Sequence, residues 1–218
     1  MRKFILLSIA SIGISTILNG QNCSKIIAAN SSNDVYVADV NNSDLVWKKM
    51  GKANNVVGMT ALNGEIFAVN SNNELYKTSP KNINAWRKIG DAEGVVALAS
   101  YGAKLFAANN KNEIWYTSSN NINWIKLGNG EGIVGMCIVN GKIYAANRQN
   151  ELWVSPISSI NWTKIGYAGG VTSLSACGKI IIGTNTSNEM WAIDVNKIGN
   201  NEWVKQGTAY NVRGMAIF

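Results

Sequence analysis

Five times along the chain, the pattern Asn-x-x-Asn-acid is followed by an aromatic residue two places after the acid. The five sets are Asn30/Asn33/Asp34/Tyr36, Asn70/Asn73/Glu74/Tyr76, Asn109/Asn112/Glu113/Trp115, Asn147/Asn150/Glu151/Trp153 and Asn185/Asn188/Glu189/Trp191. Asparagine amides and carboxylates offer planar donors and acceptors, which suit the hydroxyls of a sugar. In an extended strand, residues two apart share a face. Each aromatic therefore lies beside its acid and could receive the apolar face of a pyranose ring. The same asparagines also suffice as turn formers, because Asn tolerates left-handed backbone geometry. The aromatics could equally pack inside the fold. At this level both readings stand, ligand contact and plain framework.

Other chemistries are poorly supplied. The chain contains no His, which removes imidazole as metal ligand, general base and triad member. The acids are spread one or two per set, whereas glycoside hydrolysis needs one pair of carboxylates across a single bond. Neither enzymatic activity nor a metal or cofactor is expected. The net charge is +7 without an extended Lys/Arg run, so nucleic-acid binding is not expected. Charged residues make up 15% of the chain, and Asn, Ser and Gly take the surface role instead.

A second phrase, Trp-x-Lys-x-Gly, spaces these sets. It occurs at Trp47–Gly51, Trp86–Gly90, Trp124–Gly128, Trp162–Gly166 and Trp203–Gly207, with steps of 39, 38, 38 and 41 residues from Trp to Trp. A fixed period of this size signals a repeat architecture. Each unit has an apolar run such as Val56–Ala61, then a tight turn such as Asn63-Gly64, then a second run such as Ile66–Val69. Asn-Gly between apolar runs is a strong hairpin signal. The Asn-x-x-Asn turn and its aromatic strand follow, and the Trp phrase supplies a fourth strand. Four short antiparallel strands per unit describe one propeller blade.

The ends of the chain fit a ring. Before Trp47 lie only a second and a third strand, and after Trp203 lies one additional first strand, Val212–Phe218. The expected fold is all-β, a single five-bladed propeller over residues 24–218, with its first blade completed by the C-terminal strand. Closure of that kind removes exposed sheet edges. Small residues recur on the innermost strands at Gly58, Ala97, Gly135, Ser173 and Gly214, and again at Thr60, Ala99, Cys137, Ser175 and Ala216. Crowding around a central axis would require them. The motif tryptophans fit a framework role, and the motif lysines at 49, 88, 126, 164 and 205 fit protection of an outer edge.

Residues 1–20 resemble a secretory signal peptide, with Arg2-Lys3 ahead of the apolar stretch Phe4–Leu18. No second hydrophobic span follows, so a secreted mature protein without a stable membrane span is expected. There are three cysteines, and Cys23-Ser24-Lys25-Ile26 matches Cys177-Gly178-Lys179-Ile180 in place. Both belong to blades that meet at the closure, where a disulfide would clasp the ring. Cys137 fits the core.

The Trp-x-Lys-Ile-Gly phrase, the apolar strand after it and the run Leu75-Tyr76-Lys77-Thr78-Ser79-Pro80 resemble the tectonin/tachylectin group of lectins. The five-bladed tachylectin has this strand order, with its last strand closing the first blade. The present units are shorter. The Gly-Gly-Trp that follows the fourth strand in tachylectin is replaced here by Glu93-Gly94, Glu131-Gly132 or Gly169-Gly170. The resemblance implies a multivalent lectin for a sugar of the N-acetylglucosamine or N-acetylgalactosamine type or for bacterial lipopolysaccharide. It also implies sites between blades and a role in innate defence or agglutination. A propeller scaffold for protein–protein interaction is the alternative.

Overall fold

The computed structural model of the protein describes residues 23–40 and 45–218. The expected signal peptide, residues 1–20, lies outside the described residues. Blade A contains β1 (Lys25–Asn30), β2 (Asp34–Asp39) and β3 (Lys48–Lys52). Blade B is β4 (Val56–Leu62), β5 (Glu65–Asn70), β6 (Glu74–Thr78) and β7 (Arg87–Asp91). Blade C is β8 (Val95–Tyr101), β9 (Lys104–Asn109), β10 (Glu113–Ser118) and β11 (Ile125–Asn129). Blade D is β12 (Ile133–Val139), β13 (Lys142–Asn147), β14 (Glu151–Pro156) and β15 (Thr163–Tyr167). Blade E is β16 (Val171–Cys177), β17 (Ile180–Asn185), β18 (Glu189–Asp194) and β19 (Val204–Thr208). The last strand, β20 (Val212–Ile217), pairs antiparallel with β1 and completes blade A, giving five four-stranded sheets. The fold is the expected five-bladed propeller.

Local chemistry accounts for the hairpins. Asn63-Gly64 and Asn140-Gly141 have positive φ at both residues, 52° and 75° in the first and 49° and 71° in the second. Tight hairpins that match strand twist need that geometry. In each Asn-x-x-Asn turn the second Asn is left-handed, with φ between 61° and 65°. The Trp of the repeated phrase lies just before the outermost strand rather than within it, since β7 starts at Arg87 and β11 at Ile125. Unit E is longer because a short 3-10 helix, Val195–Asn200, separates β18 from β19.

The core sits between blades. Met59 packs with Ile27 and Ala29 of blade A, and Leu98 packs with Phe67 and Val69 of blade B. The first small residue of each inner strand makes this possible. A Cβ on Gly58 would lie 3.1 Å from the backbone nitrogen of Leu98, and one on Gly214 would lie 3.2 Å from that of Met59. These glycines are therefore required by the next blade rather than by the axis. The second small set does face the centre, where Thr60, Ala99, Cys137 and Ser175 help line a cavity of about 40 Å³. A disulfide joins Cys23 to Cys177 with a Cα–Cα distance of 6.2 Å, tying blade E to the start of blade A. No helix among the described residues is long and apolar enough to cross a membrane.

Candidate functional site between the blades

Each Asn-x-x-Asn turn is built by its own side chains. The oxygen of the first Asn accepts from two backbone N–H groups, as when Asn109 Oδ1 receives Lys111 N at 3.1 Å and Glu113 N at 2.9 Å. The second Asn reaches sideways to the loop between blades. Asn73 Oδ1 accepts from Gly94 N at 2.8 Å, Asn112 Oδ1 from Gly132 N at 3.0 Å and Asn150 Oδ1 from Gly170 N at 2.7 Å. Asn33 and Asn188 do the same with Asn55 N and Asn211 N, both at 2.7 Å. The turn and the loop therefore share one face, and these five amide oxygens are committed to holding them together.

The acid beside each turn is the centre of a second network. Glu113 Oε2 accepts from Asn109 Nδ2 at 2.9 Å and from Trp115 Nε1 at 3.1 Å, while its Oε1 pairs with Lys126 Nζ at 2.6 Å. Glu151 repeats this with Asn147, Trp153 and Lys164, and Glu189 repeats it with Asn185, Trp191 and Lys205. In blade B the partners of Glu74 are Asn70, the Tyr76 hydroxyl and Lys88. In blade A the shorter Asp34 pairs with Lys49 at 2.7 Å. The lysine bond, then the amide and indole donors, hold Glu113 and Glu189 down at about 2. Lys164 first and Asn147 next do the same for Glu151, also at about 2. These carboxylates stay ionised and compensated.

A repeated β-bulge makes the lysine contact possible. In blade C, Ile114 pairs with Gly128 but Trp115 pairs with Lys126, so Leu127 is the additional residue. Blades A, B, D and E carry the same shift. A bulge re-aims the side chains beside it. The motif lysines thus have a partner within the blade, where the sequence pattern pointed to edge protection. The signal was present, since the acid that follows each Asn-x-x-Asn is matched by a lysine on the fourth strand.

The motif Trp and Gly work between blades. Trp86 Nε1 donates to Lys52 O at 3.0 Å, Trp124 to Asp91 O at 2.8 Å, Trp162 to Asn129 O at 2.6 Å and Trp47 to Thr208 O at 2.9 Å. Each bond reaches the residue after the motif Gly of the preceding blade. Trp203 Nε1 is buried without a partner among the described residues. The Gly makes room for an isoleucine of the following blade. A Cβ on Gly90 would stand 2.9 Å from Ile122 Cγ2, and one on Gly128 would stand 2.8 Å from Ile160 Cβ.

Among the described residues, clefts open at the A–B, B–C, C–D and D–E joints, of about 790, 330, 320 and 370 Å³. Each is walled by the interblade loop of one blade and by the acid, the third-strand aromatic and the motif Trp of the next. The structure brings Glu74 and Tyr76 to A–B, Glu113 and Trp115 to B–C, Glu151 and Trp153 to C–D, and Glu189 and Trp191 to D–E. Asn33 also lines A–B. Asn73, Asn112, Asn150 and Asn188 serve the turn-to-loop bond. Asp34 and Tyr36 hold the matching positions on β2. Trp86, Trp124, Trp162 and Trp203, which sequence reasoning assigned to the framework, line the clefts as well. They follow the third-strand aromatic by 9 or 10 residues in blades B, C and D and by 12 in blade E, and the sequence alone does not show that the two rings meet at one cleft.

No protein-family model matches the chain, and no curated protein sequence matches it. Solved structures do. A chain of the nidogen/laminin complex is similar with a TM-score of 0.65 at 10% identity, covering 90% of this chain and 98% of that one. Glutaminyl cyclase of Myxococcus xanthus is similar with a TM-score of 0.52 at 16% identity, covering 75% of this chain and 72% of that one. At such identities the likeness concerns the fold.

Proposed function

We propose that the protein is a secreted, multivalent carbohydrate-binding protein without enzymatic activity, and that the interblade clefts are its sugar sites. The observation that carries this reading is the repetition of one cleft plan at four joints. Each cleft sets two aromatic side chains beside polar turn groups and an interblade loop. Their volumes fall in the range of small-ligand pockets. Aromatic walls suit the apolar face of a pyranose, and exposed amides suit its hydroxyl and acetamido groups. The carboxylates are compensated by lysines, so they act as fixed acceptors and are poorly suited to serve as the protonated acid of glycoside hydrolysis.

Near-equivalent sites around one face favour clustered glycans, because weak single contacts gain by multivalency. The ligand class is an N-acetylated amino sugar or a bacterial glycan such as lipopolysaccharide. Export is supported by the apolar leader-like stretch Phe4–Leu18 and by a disulfide of the kind that persists in oxidising compartments. Isothermal titration with N-acetylglucosamine, N-acetylgalactosamine and lipopolysaccharide tests the reading. Saturable heat with at least one of them is expected. No heat with any, together with a protein partner that free sugar fails to displace, would replace it with the scaffold role.

A further inference from the structure

The clefts share a plan, but the A–B cleft departs from it in several ways. It is about 790 Å³, more than twice the 320 to 370 Å³ of the other three. Its third-strand ring is Tyr76, where blades C, D and E have Trp115, Trp153 and Trp191. Its loop carries Asn54 and Asn55 where the others carry Glu93-Gly94, Glu131-Gly132 and Gly169-Gly170. The hairpin of blade B also has one residue more between its aromatic and its Trp than those of blades C and D, and Asn84 stands at the rim. Asn84 Oδ1 accepts from Lys52 N at 3.2 Å, so it spans the joint and keeps its own N–H donors for a ligand.

These differences act in one direction. A phenol is smaller than an indole, which widens the cleft between Tyr76 and Trp86. The side-chain amides of Asn54 and Asn72 make no hydrogen bond within the described residues, and both line the cleft. A row of amides offers donors and acceptors along a length rather than at one point. We infer that the A–B cleft is an extended subsite that holds two or more linked sugar units, while the B–C, C–D and D–E clefts each hold one. The inference rests on the carbohydrate reading and deepens it. It gives the protein one site for a glycan chain and further sites for terminal residues.

The test is titration of the full chain with N-acetylglucosamine and with its β1→4-linked tetramer, for the wild type, Tyr76→Trp and Asn54→Gly. Tyr76→Trp installs the residue found in blades C, D and E, where the indole N–H reaches the same acid, so folding is retained. The tetramer should bind at least about tenfold tighter than the monosaccharide in the wild type. That preference should be lost in Tyr76→Trp and reduced in Asn54→Gly. Monosaccharide heat from the other three clefts serves as the internal reference. Equal affinities for the two sugars in the wild type, or a preference that survives Tyr76→Trp, would overturn the extended subsite while leaving the carbohydrate reading intact. Absence of heat with both sugars would overturn the extended subsite, and it would overturn the carbohydrate reading as well only where N-acetylgalactosamine and lipopolysaccharide also give none.

Discussion

At the C–D joint, Trp162 Nε1 donates to Asn129 O at 2.6 Å, whereas at the D–E joint Trp203 Nε1 has no partner among the described residues. A Cβ on Gly128 would stand 2.8 Å from Ile160, but one on Gly166 would stand 3.4 Å from Ile198. The turn-to-loop bond is common to both joints, as Asn112 to Gly132 and Asn150 to Gly170. Thus the bond on the cleft face is kept and the bond at the outer strand is lost. The cause is chain length. A 3-10 helix precedes Trp203, and Ile198 arrives from that helix instead of from a short hairpin. Two joints spelled by one phrase differ because the phrase specifies a strand, while its distance from the preceding strand specifies the contact.

The largest expected effect that would break this comparison comes from the two glycines. Gly128→Ala should destabilise the protein by about 1–3 kcal/mol through overpacking against Ile160. Gly166→Ala should be neutral or stabilise by up to about 1 kcal/mol, because the space exists and the unfolded chain loses freedom. Urea midpoints measure both. Equal losses would show that the joints are packed alike.

A smaller effect separates the tryptophans. Trp162→Phe leaves the Asn129 carbonyl without its donor and should cost about 1 kcal/mol more than Trp203→Phe, in which no such bond is broken. Comparing the two variants cancels the change in ring size to first order. A larger loss in Trp203→Phe would sink the asymmetry.

The smallest effect is on pH dependence, and it should not distinguish the joints at all. The carboxylate networks lie within blades, and Glu113, Glu151 and Glu189 are held at about 2 against an ordinary value of 4.5. A depressed folded value means that their contribution is complete above about 4.5 and is lost as pH falls toward about 2. Stability should therefore be level down to about pH 4.5 with respect to these groups and decline below it. The Gly128→Ala and Gly166→Ala curves should run parallel. A pH-dependent gap between them would place the acid networks across the joints.

Much of the fold was legible because it depends on local signals. Asn63-Gly64 and Asn140-Gly141 announce hairpins through their backbone freedom, and the regular Trp spacing counts the blades. Much of the cleft was not. Glu113 and Trp115 could be placed on one face from their spacing, but their bond and the reach of Lys126 depend on a bulge at Leu127. A bulge leaves no clear mark when the additional residue is an ordinary apolar one. The role of Gly90 was also hidden, since the reason for it is Ile122 of another blade.

The sequence by itself determined the repeat, the all-β class, the five-blade count and the division of the first blade between the chain ends. Each follows from periods and turn residues within about forty positions. Tertiary structure alone decided which groups remain available to a ligand. It assigned the second asparagines to loops, the acids to lysines, and both aromatic sets to shared clefts. It also made the A–B cleft wide and left the Trp203 N–H without a partner among the described residues. The physical reason is that hydrogen-bond satisfaction and free volume are properties of neighbouring blades, and residues of different blades meet through space rather than along the chain.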